Sequence, residues 1–321
     1  MTGKNMNELT TTRHNLHIDP SMTVWGWEIP VYLFLGGMVA GMMIISGYFL
    51  FSKRYKETNC ACYTLPLISL ILLSVGMFAL FLDLEHKFFV WRLYTTFQIT
   101  SPMSWGAWIL ILVYPVIIAN LLMGPPKFLI NKFPKLNNVT TFINQRPRLI
   151  QNIGVANMLL GGLLGVYTGV LLSTMGSRPL WNTSILWVLF LVSGLSTAAA
   201  FVHMIAKNVN ERELLAKADN GFLTIEIFVI ALMLIGFLTS TQVHIESVQL
   251  LISGSYAPVF WVFVIGMGII IPLIIQLLAV NHKIKHTPIA PIMVILGGLI
   301  LRFIIVSAGQ YSHYFNAHAS F

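Results

Sequence analysis

Charge is what this sequence lacks most. Only 30 of its 321 residues are Asp, Glu, Lys or Arg, 19 basic and 11 acidic, or 9%, against about 25% in an ordinary soluble domain. The apolar set of Ala, Val, Ile, Leu, Met, Phe, Trp, Tyr and Cys reaches 56%, and the mean hydropathy is +0.79. A soluble fold of this length could not enclose so much apolar surface in one core, which excludes a soluble enzyme or binding module. Cysteine is nearly absent. Cys60 and Cys62 are the whole complement, too few for a disulfide scaffold or for ligating an iron–sulfur cluster unaided, and the Cys60-Ala61-Cys62 pair reads as an inert loop feature. No apolar run alternates with a period of two, which argues against a transmembrane barrel. No glycine-rich phosphate cradle or nucleophile elbow is present. The net charge of +8 does not mark a nucleic-acid binder, because the basic residues fall in short loops between apolar runs.

What is present is a series of long apolar runs. The first, Ile29 to Ser52, has 24 residues without a charge, too long for the h-region of a secretory leader. A bilayer core takes about 20 apolar residues per helix. That length divides the chain into eight spans, roughly 27–51, 63–83, 102–124, 150–174, 181–205, 220–240, 256–280 and 289–312. The expected fold is an all-α integral membrane protein of eight transmembrane helices. No internal repeat points to a duplicated architecture. Residues 1–26 form an N-terminal segment, 27–174 a first four-helix bundle, and 175–321 a second one with a short C-terminal tail. The longest connection, Pro125 to Leu149, reads as a surface loop. Gly36-Gly37, Gly161-Gly162 and Gly297-Gly298 read as close-packing points between helices.

Basic residues set the orientation. The loops after spans 1, 3, 5 and 7 hold 13 Lys and Arg, and the opposite side holds 5; Arg302, inside the last span, is the nineteenth. Both termini are therefore expected outside, which in a bacterium is the periplasm.

Ionisable groups within a membrane cost about 2.5–3.5 kcal/mol on insertion scales, so they default to functional roles. Glu28 opens span 1, Asp83 closes span 2, Glu226 lies in span 6 and Arg302 in span 8. The topology brings Glu28, Asp83, the Ser101-Pro102-Met103-Ser104-Trp105 run and Arg178 to one outer level. Tyr32 lies a turn below Glu28, and Tyr167 lies eleven residues before Arg178, with Gln151 and Asn157 deeper. Trp25, Trp27, Trp91, Trp105, Trp108 and Trp181 gather at the same level, each readable as part of an interfacial belt. Glu226 and Arg302 read either as a structural ion pair or as part of a proton path. A bis-histidine haem needs two histidines facing each other at one depth; His203 and His282 fall at inner helix ends and His86 and His313 near outer ends, so haem is not expected.

At these residues the sequence resembles the NrfD/polysulfide-reductase membrane subunits. The likeness is carried by Trp27-Glu28-Ile29-Pro30-Val31-Tyr32-Leu33-Phe34-Leu35-Gly36-Gly37, Leu82-Asp83-Leu84 and Ser101-Pro102-Met103-Ser104-Trp105-Gly106-Ala107-Trp108. It continues through Tyr167 with Arg178-Pro179-Leu180-Trp181-Asn182, and Leu301-Arg302 to Ala308-Gly309-Gln310. These occur in the family's order over nearly the whole chain. The resemblance implies a quinone-handling subunit of a periplasm-facing respiratory oxidoreductase in a bacterial inner membrane, with no haem or metal of its own. It implies menaquinol or menaquinone bound in the first bundle. It also implies a partner carrying four [4Fe-4S] clusters on the periplasmic face, and a periplasmic catalytic subunit such as a molybdopterin or multihaem reductase. Tyr167 matches the family's quinone-contacting tyrosine. Tyr32 stands where some members have histidine, a departure that leaves Glu28 as the substitute acid–base group.

On that reading Tyr32, Tyr167, Ser104 and Trp105 contact the quinone. Glu28, Asp83 and His86 accept its protons, since a carboxylate at a semi-buried helix end can be tuned toward neutral pH. Arg178 and Arg92 orient Asp83 or meet the partner, and the tryptophans form a slot around the ring. A transporter, a haem-bearing cytochrome b subunit and a passive anchor are the rival classes.

Overall fold

A computed structural model of the chain describes residues 25–56, 60–206, 208–281 and 287–312. Among the described residues eight helices are long and apolar enough to cross a membrane: Glu28–Phe51, Cys62–Asp83, Pro102–Leu121, Pro147–Ser173, Leu186–Ile205, Val209–Leu238, Val259–Val280 and Ile289–Tyr311. They are spans 1 to 8 below. No strand occurs among the described residues. A helix satisfies its own backbone hydrogen bonds, which is what hydrocarbon surroundings require. Pro102 and Pro147 each stand at the first helical position, where the missing N–H would have had no partner.

Span 1 is the hub. In its most apolar stretch 83% of residues are buried, against 33% for spans 2, 3, 6 and 7. It packs on spans 2, 4, 5 and 8, while span 3 packs on 2 and 4, and span 6 on 5 and 7. Glycines permit the closest approaches. A Cβ on Gly194 would lie 2.5 Å from the Gly37 carbonyl oxygen, and one on Gly268 would lie 2.8 Å from the Gly297 Cα. Of the glycine pair in span 4, Gly161 abuts span 1 at Ala40, whereas Gly162 faces open space.

Several boundaries differ from expectation. Span 6 begins at Val209, so Glu211 and Asp219, which the hydropathy pattern leaves in a loop, are buried helical residues. Span 5 begins at Leu186, not 181, and Trp181 is wholly enclosed in the preceding turn instead of joining an interfacial belt. Span 7 is wound as a π-helix over Val259–Ile270 before continuing as an α-helix, Ile271–Val280. The connection after span 3 folds into two short helices, Lys127–Lys132 and Lys135–Asn144, and the one after span 6 into Gln242–Ile252. Cys62 is buried in a π-turn, Cys60–Thr64, that leads into span 2. His282, His313, most of segment 1–26 and the end of the C-terminal tail lie outside the described residues.

The end of the bundle holding Glu28 and Asp83 is fastened by a set of buried polar contacts. The Trp25 amide donates to the Gln310 side-chain oxygen at 3.1 Å, and Gln310 Nε2 donates back to the Trp25 carbonyl at 2.9 Å. Trp25 stacks on Trp181 with ring centroids 5.3 Å apart. Trp181 Nε1 donates to the Ile305 carbonyl at 2.8 Å, and its indole fills the place a side chain at Gly309 would take. Arg178 Nη1 donates to the Ser312 carbonyl at 3.0 Å. The segment before span 1 and the turn after span 4 are thus both tied to the end of span 8.

Candidate functional site

A cavity of about 660 Å³ opens among spans 1 to 4 at this same end. Its walls are Ile29 and Tyr32 of span 1, Met77, Leu80 and Asp83 of span 2, Met103, Ser104, Gly106, Ala107 and Leu110 of span 3, and Tyr167 and Leu171 of span 4. The connection between spans 2 and 3 covers it. That connection turns through Lys87–Phe89 and the short helix Trp91–Thr95, and contributes His86, Phe89, Arg92, Tyr94, Thr96 and Gln98 to the lining. An apolar space of this size with a few convergent polar groups is the usual form of a small-molecule site, which typically spans about 300–1,000 Å³.

Two buried phenols form part of the wall. Tyr32 is 2% exposed and Tyr167 6%, and their hydroxyls are hydrogen-bonded to each other. Gly106 makes the arrangement possible, because the Tyr167 ring occupies the position a side chain there would need. A third phenol, Tyr94, reaches the cavity from the covering helix. Burial, with the neighbouring Tyr114 phenol, raises its pKa above the ordinary tyrosine value. Three phenols therefore converge on one apolar space. Asp83 lines the cavity half-buried, within electrostatic reach of Glu28. Glu28 is not itself among the lining residues. His86 is exposed and its ring lies edge-on to Phe89, 6.4 Å between centroids. Arg92 lies over the Phe89 ring at 4.6 Å.

The remaining expected site residues divide. Ser104 lines the cavity, but its hydroxyl is engaged with the covering loop: it accepts from the Gln98 amide at 3.0 Å and donates to the Thr96 carbonyl at 3.3 Å. Trp105 is 42% exposed and absent from the lining, with Nε1 donating to the Ile99 carbonyl at 2.8 Å. Of the six tryptophans expected around the ring, Trp25 alone lines the cavity. Arg178 is 1% exposed, and its bond to Ser312 makes it an internal fastening of the helix ends. That burial differs from the exposed place expected of a residue at a partner surface. Gln151 and Asn157 bond to the Phe51 and Ile153 carbonyls, at 3.3 and 3.0 Å.

Glu226 and Arg302 come together through an intermediary. Arg302 is wholly buried; Nη1 donates to the Ser193 hydroxyl and to the Gly298 carbonyl at 3.1 Å, and Nη2 donates to the Phe190 carbonyl at 3.0 Å. Glu226 is hydrogen-bonded to the same Ser193 hydroxyl and interacts electrostatically with Arg302. Seven residues earlier on the same helix face, buried Asp219 accepts from Ser196 Oγ and from Gln276 Nε2, both at 2.7 Å, and interacts with Glu226. The result is a polar column through spans 5 to 8, with Glu211 a further eight residues back at its end.

Sequence reasoning missed Asp219, Ser193, Ser196, Gln276 and Tyr94. Asp219 carries a usable signal, the spacing of 219 and 226 on one helix face. It was masked by Glu213 and Lys217 beside it, which gave the stretch a loop-like charge.

Together the eight apolar spans and their packing define a multi-pass helical membrane protein with an apolar cavity at one end. The sequence profile described as "Polysulphide reductase, NrfD" matches residues 15–313, and the chain belongs to that family. It is 30% identical over 302 residues to the C component of the polysulfide reductase of Wolinella succinogenes, covering 89% of this sequence and 94% of that one. It is 29% identical over 310 residues to protein NrfD of Escherichia coli, covering 89% and 95%. The C component of the selenate reductase of Mesobacillus selenatarsenatis is 22% identical over 330 residues, covering 92% of this sequence and 76% of its own.

Proposed function

We propose that this chain is the quinone-handling membrane subunit of a respiratory oxidoreductase, drawing electrons from menaquinol. The observation that carries the reading is the apolar cavity of about 660 Å³ walled by the hydrogen-bonded Tyr32 and Tyr167. A substituted quinone ring fits such a volume, and phenolic donors at its floor suit the ring oxygens. On this reading Tyr32 and Tyr167 orient the ring, with Tyr94 as a third donor. A quinol releases two electrons and two protons. Asp83, Glu28 behind it and His86 at the rim accept the protons and pass them to water. The electrons leave to an iron–sulfur partner docked over the 84–101 connection, where Arg92 is exposed, and from there to a catalytic subunit on the same side. That side is the periplasmic one of a bacterial inner membrane, by the 13-to-5 distribution of basic residues. The relatives named as parts of polysulfide and selenate reductases support a reductase complex of this kind. Spans 1 to 4 then form the quinone bundle and spans 5 to 8 a second bundle behind it.

The test is binding of a quinone analogue to the purified membrane complex, wild type beside Tyr167→Phe and Glu28→Gln. Weaker binding in Tyr167→Phe and slower quinol oxidation in Glu28→Gln are expected. Undiminished binding and turnover in both would move the site elsewhere, and absence of binding in the wild type would favour a transporter or a passive anchor.

A second role attaches to the polar column. The series of Asp219, Glu226, Ser193 and Arg302 supports a proton path through spans 5 to 8. Sided proton uptake by the complex in vesicles tests it: loss in Glu226→Gln with quinol oxidation retained is the expected result.

A further inference from the structure

The connection between spans 3 and 4 has a composition unlike the rest of the chain. From Pro125 to Leu149 it holds five Lys and Arg and no Asp or Glu. Its two short helices lie between Leu121, where span 3 ends, and Pro147, where span 4 begins, so both remain at one membrane face. They are pinned there from within. Thr140 Oγ1 donates to the Leu122 carbonyl at 2.9 Å, Asn144 Nδ2 donates to the Met123 carbonyl at 3.1 Å, and Ile143 is buried in the apolar core.

The outer face is both apolar and cationic. Phe128, Phe133 and Phe142 are 62%, 53% and 49% exposed, a poor arrangement for water contact. Lys132, Lys135, Arg146 and Arg148 are exposed beside them, and among the described residues none is ion-paired. The Arg146 guanidinium lies 3.9 Å over the Phe142 ring, and Lys132 lies 6.0 Å from the Phe133 ring centre. Exposed phenyls with cations directly alongside are what an in-plane interfacial segment presents, its rings in the acyl boundary and its charges among the headgroups. Four cations with no carboxylate in their own segment suit anions at their own level, and the lipid surface supplies these.

We propose that residues 127–148 form a binding surface for anionic phospholipid headgroups, with Lys132, Lys135, Arg146 and Arg148 holding the phosphates and Phe128, Phe133 and Phe142 seated in the adjoining acyl region. The inference is independent of the quinone reading, since it concerns the opposite end of the bundle and a different ligand.

The test places the purified membrane complex in nanodiscs of phosphatidylcholine alone and of phosphatidylcholine with phosphatidylglycerol. Thermal unfolding and the lipids retained on gentle extraction are measured. Wild type should unfold at a higher temperature with phosphatidylglycerol present and retain that lipid selectively. The combined variant K132Q, K135Q, R146Q and R148Q should lose both effects, and the charge-preserving variant K132R, K135R, R146K and R148K should keep them. An unchanged response in the glutamine variant, or equal retention of the two lipids by wild type, would overturn the proposal. So would a glutamine variant that keeps its lipid but loses a co-purifying protein, which would make the face a protein-docking surface.

Discussion

The ring of Tyr167 occupies the space that any side chain at Gly106 would need. The span 3 to span 4 contact at the cavity wall is therefore set by a missing methyl group, and the position of one phenol depends on it.

Gly106→Ala should displace Tyr167 and break its bond to Tyr32. Overpacking of this kind costs about 1–3 kcal/mol. The expected outcome is a folded complex of lower thermal stability with weakened binding of a quinone analogue, read by titration and by a melting curve on the same sample.

Tyr32→Phe and Tyr167→Phe each remove one hydroxyl and keep the ring. Loss of a hydrogen bond is worth about 0.5–1.5 kcal/mol, so analogue binding should weaken by up to about tenfold in each. Because the two hydroxyls bond to each other, the double variant should lose less than the product of the two single losses. Strict additivity in the double-mutant cycle would show that they act independently.

Asp219 accepts a hydrogen bond from each of two donors, Ser196 Oγ and Gln276 Nε2. Asp219→Asn replaces one acceptor oxygen by an amide donor, so Ser196 or Gln276 must turn an acceptor toward it or lose its bond. A destabilisation of about 1–3 kcal/mol is expected, measured by thermal unfolding in detergent. Gln276→Glu, tested in the Asp219→Asn background, should recover part of it.

Ser193→Ala removes the hydroxyl shared by Glu226 and Arg302. Both buried groups lose a partner, at a cost of about 1–3 kcal/mol. Ser193→Thr keeps the hydroxyl and should restore most of that stability. Equal melting temperatures for wild type and Ser193→Ala would remove the bridge from the account.

Arg178→Gln should lower stability without changing association with any partner subunit, since its guanidinium is buried against Ser312. Co-purification of the complex alongside a melting curve separates the two effects.

The spans and the gathering of the candidate residues at one end of the bundle were legible in the sequence because hydropathy and turn position are read along the chain. Glu28, Asp83, Tyr32 and Tyr167 fall at one end of the membrane by counting residues from the span ends, and the fold brings them to the same cavity or beside it. Direction around the helix is another matter. Trp105 and Trp25 lie at similar depth, yet only Trp25 lines the cavity, and nothing in their local sequence separates them. Arg178 stands in a turn that reads as surface, and the carbonyl that buries it, on Ser312, is 134 residues away. Asp219 was hidden because a hydropathy window averages it with the charges beside it, whereas its environment is set by Ser196 and Gln276 on other helices.

The reciprocal bonds between Trp25 and Gln310 join positions 285 residues apart, and Trp25 is a wall of the cavity. In a polypeptide threaded into the bilayer from its amino end, the first helices can be in place long before Gln310 has left the ribosome. That pairing is therefore completed only once span 8 is in place. A polypeptide truncated ahead of that helix would hold both cavity tyrosines and still lack the partner that anchors Trp25.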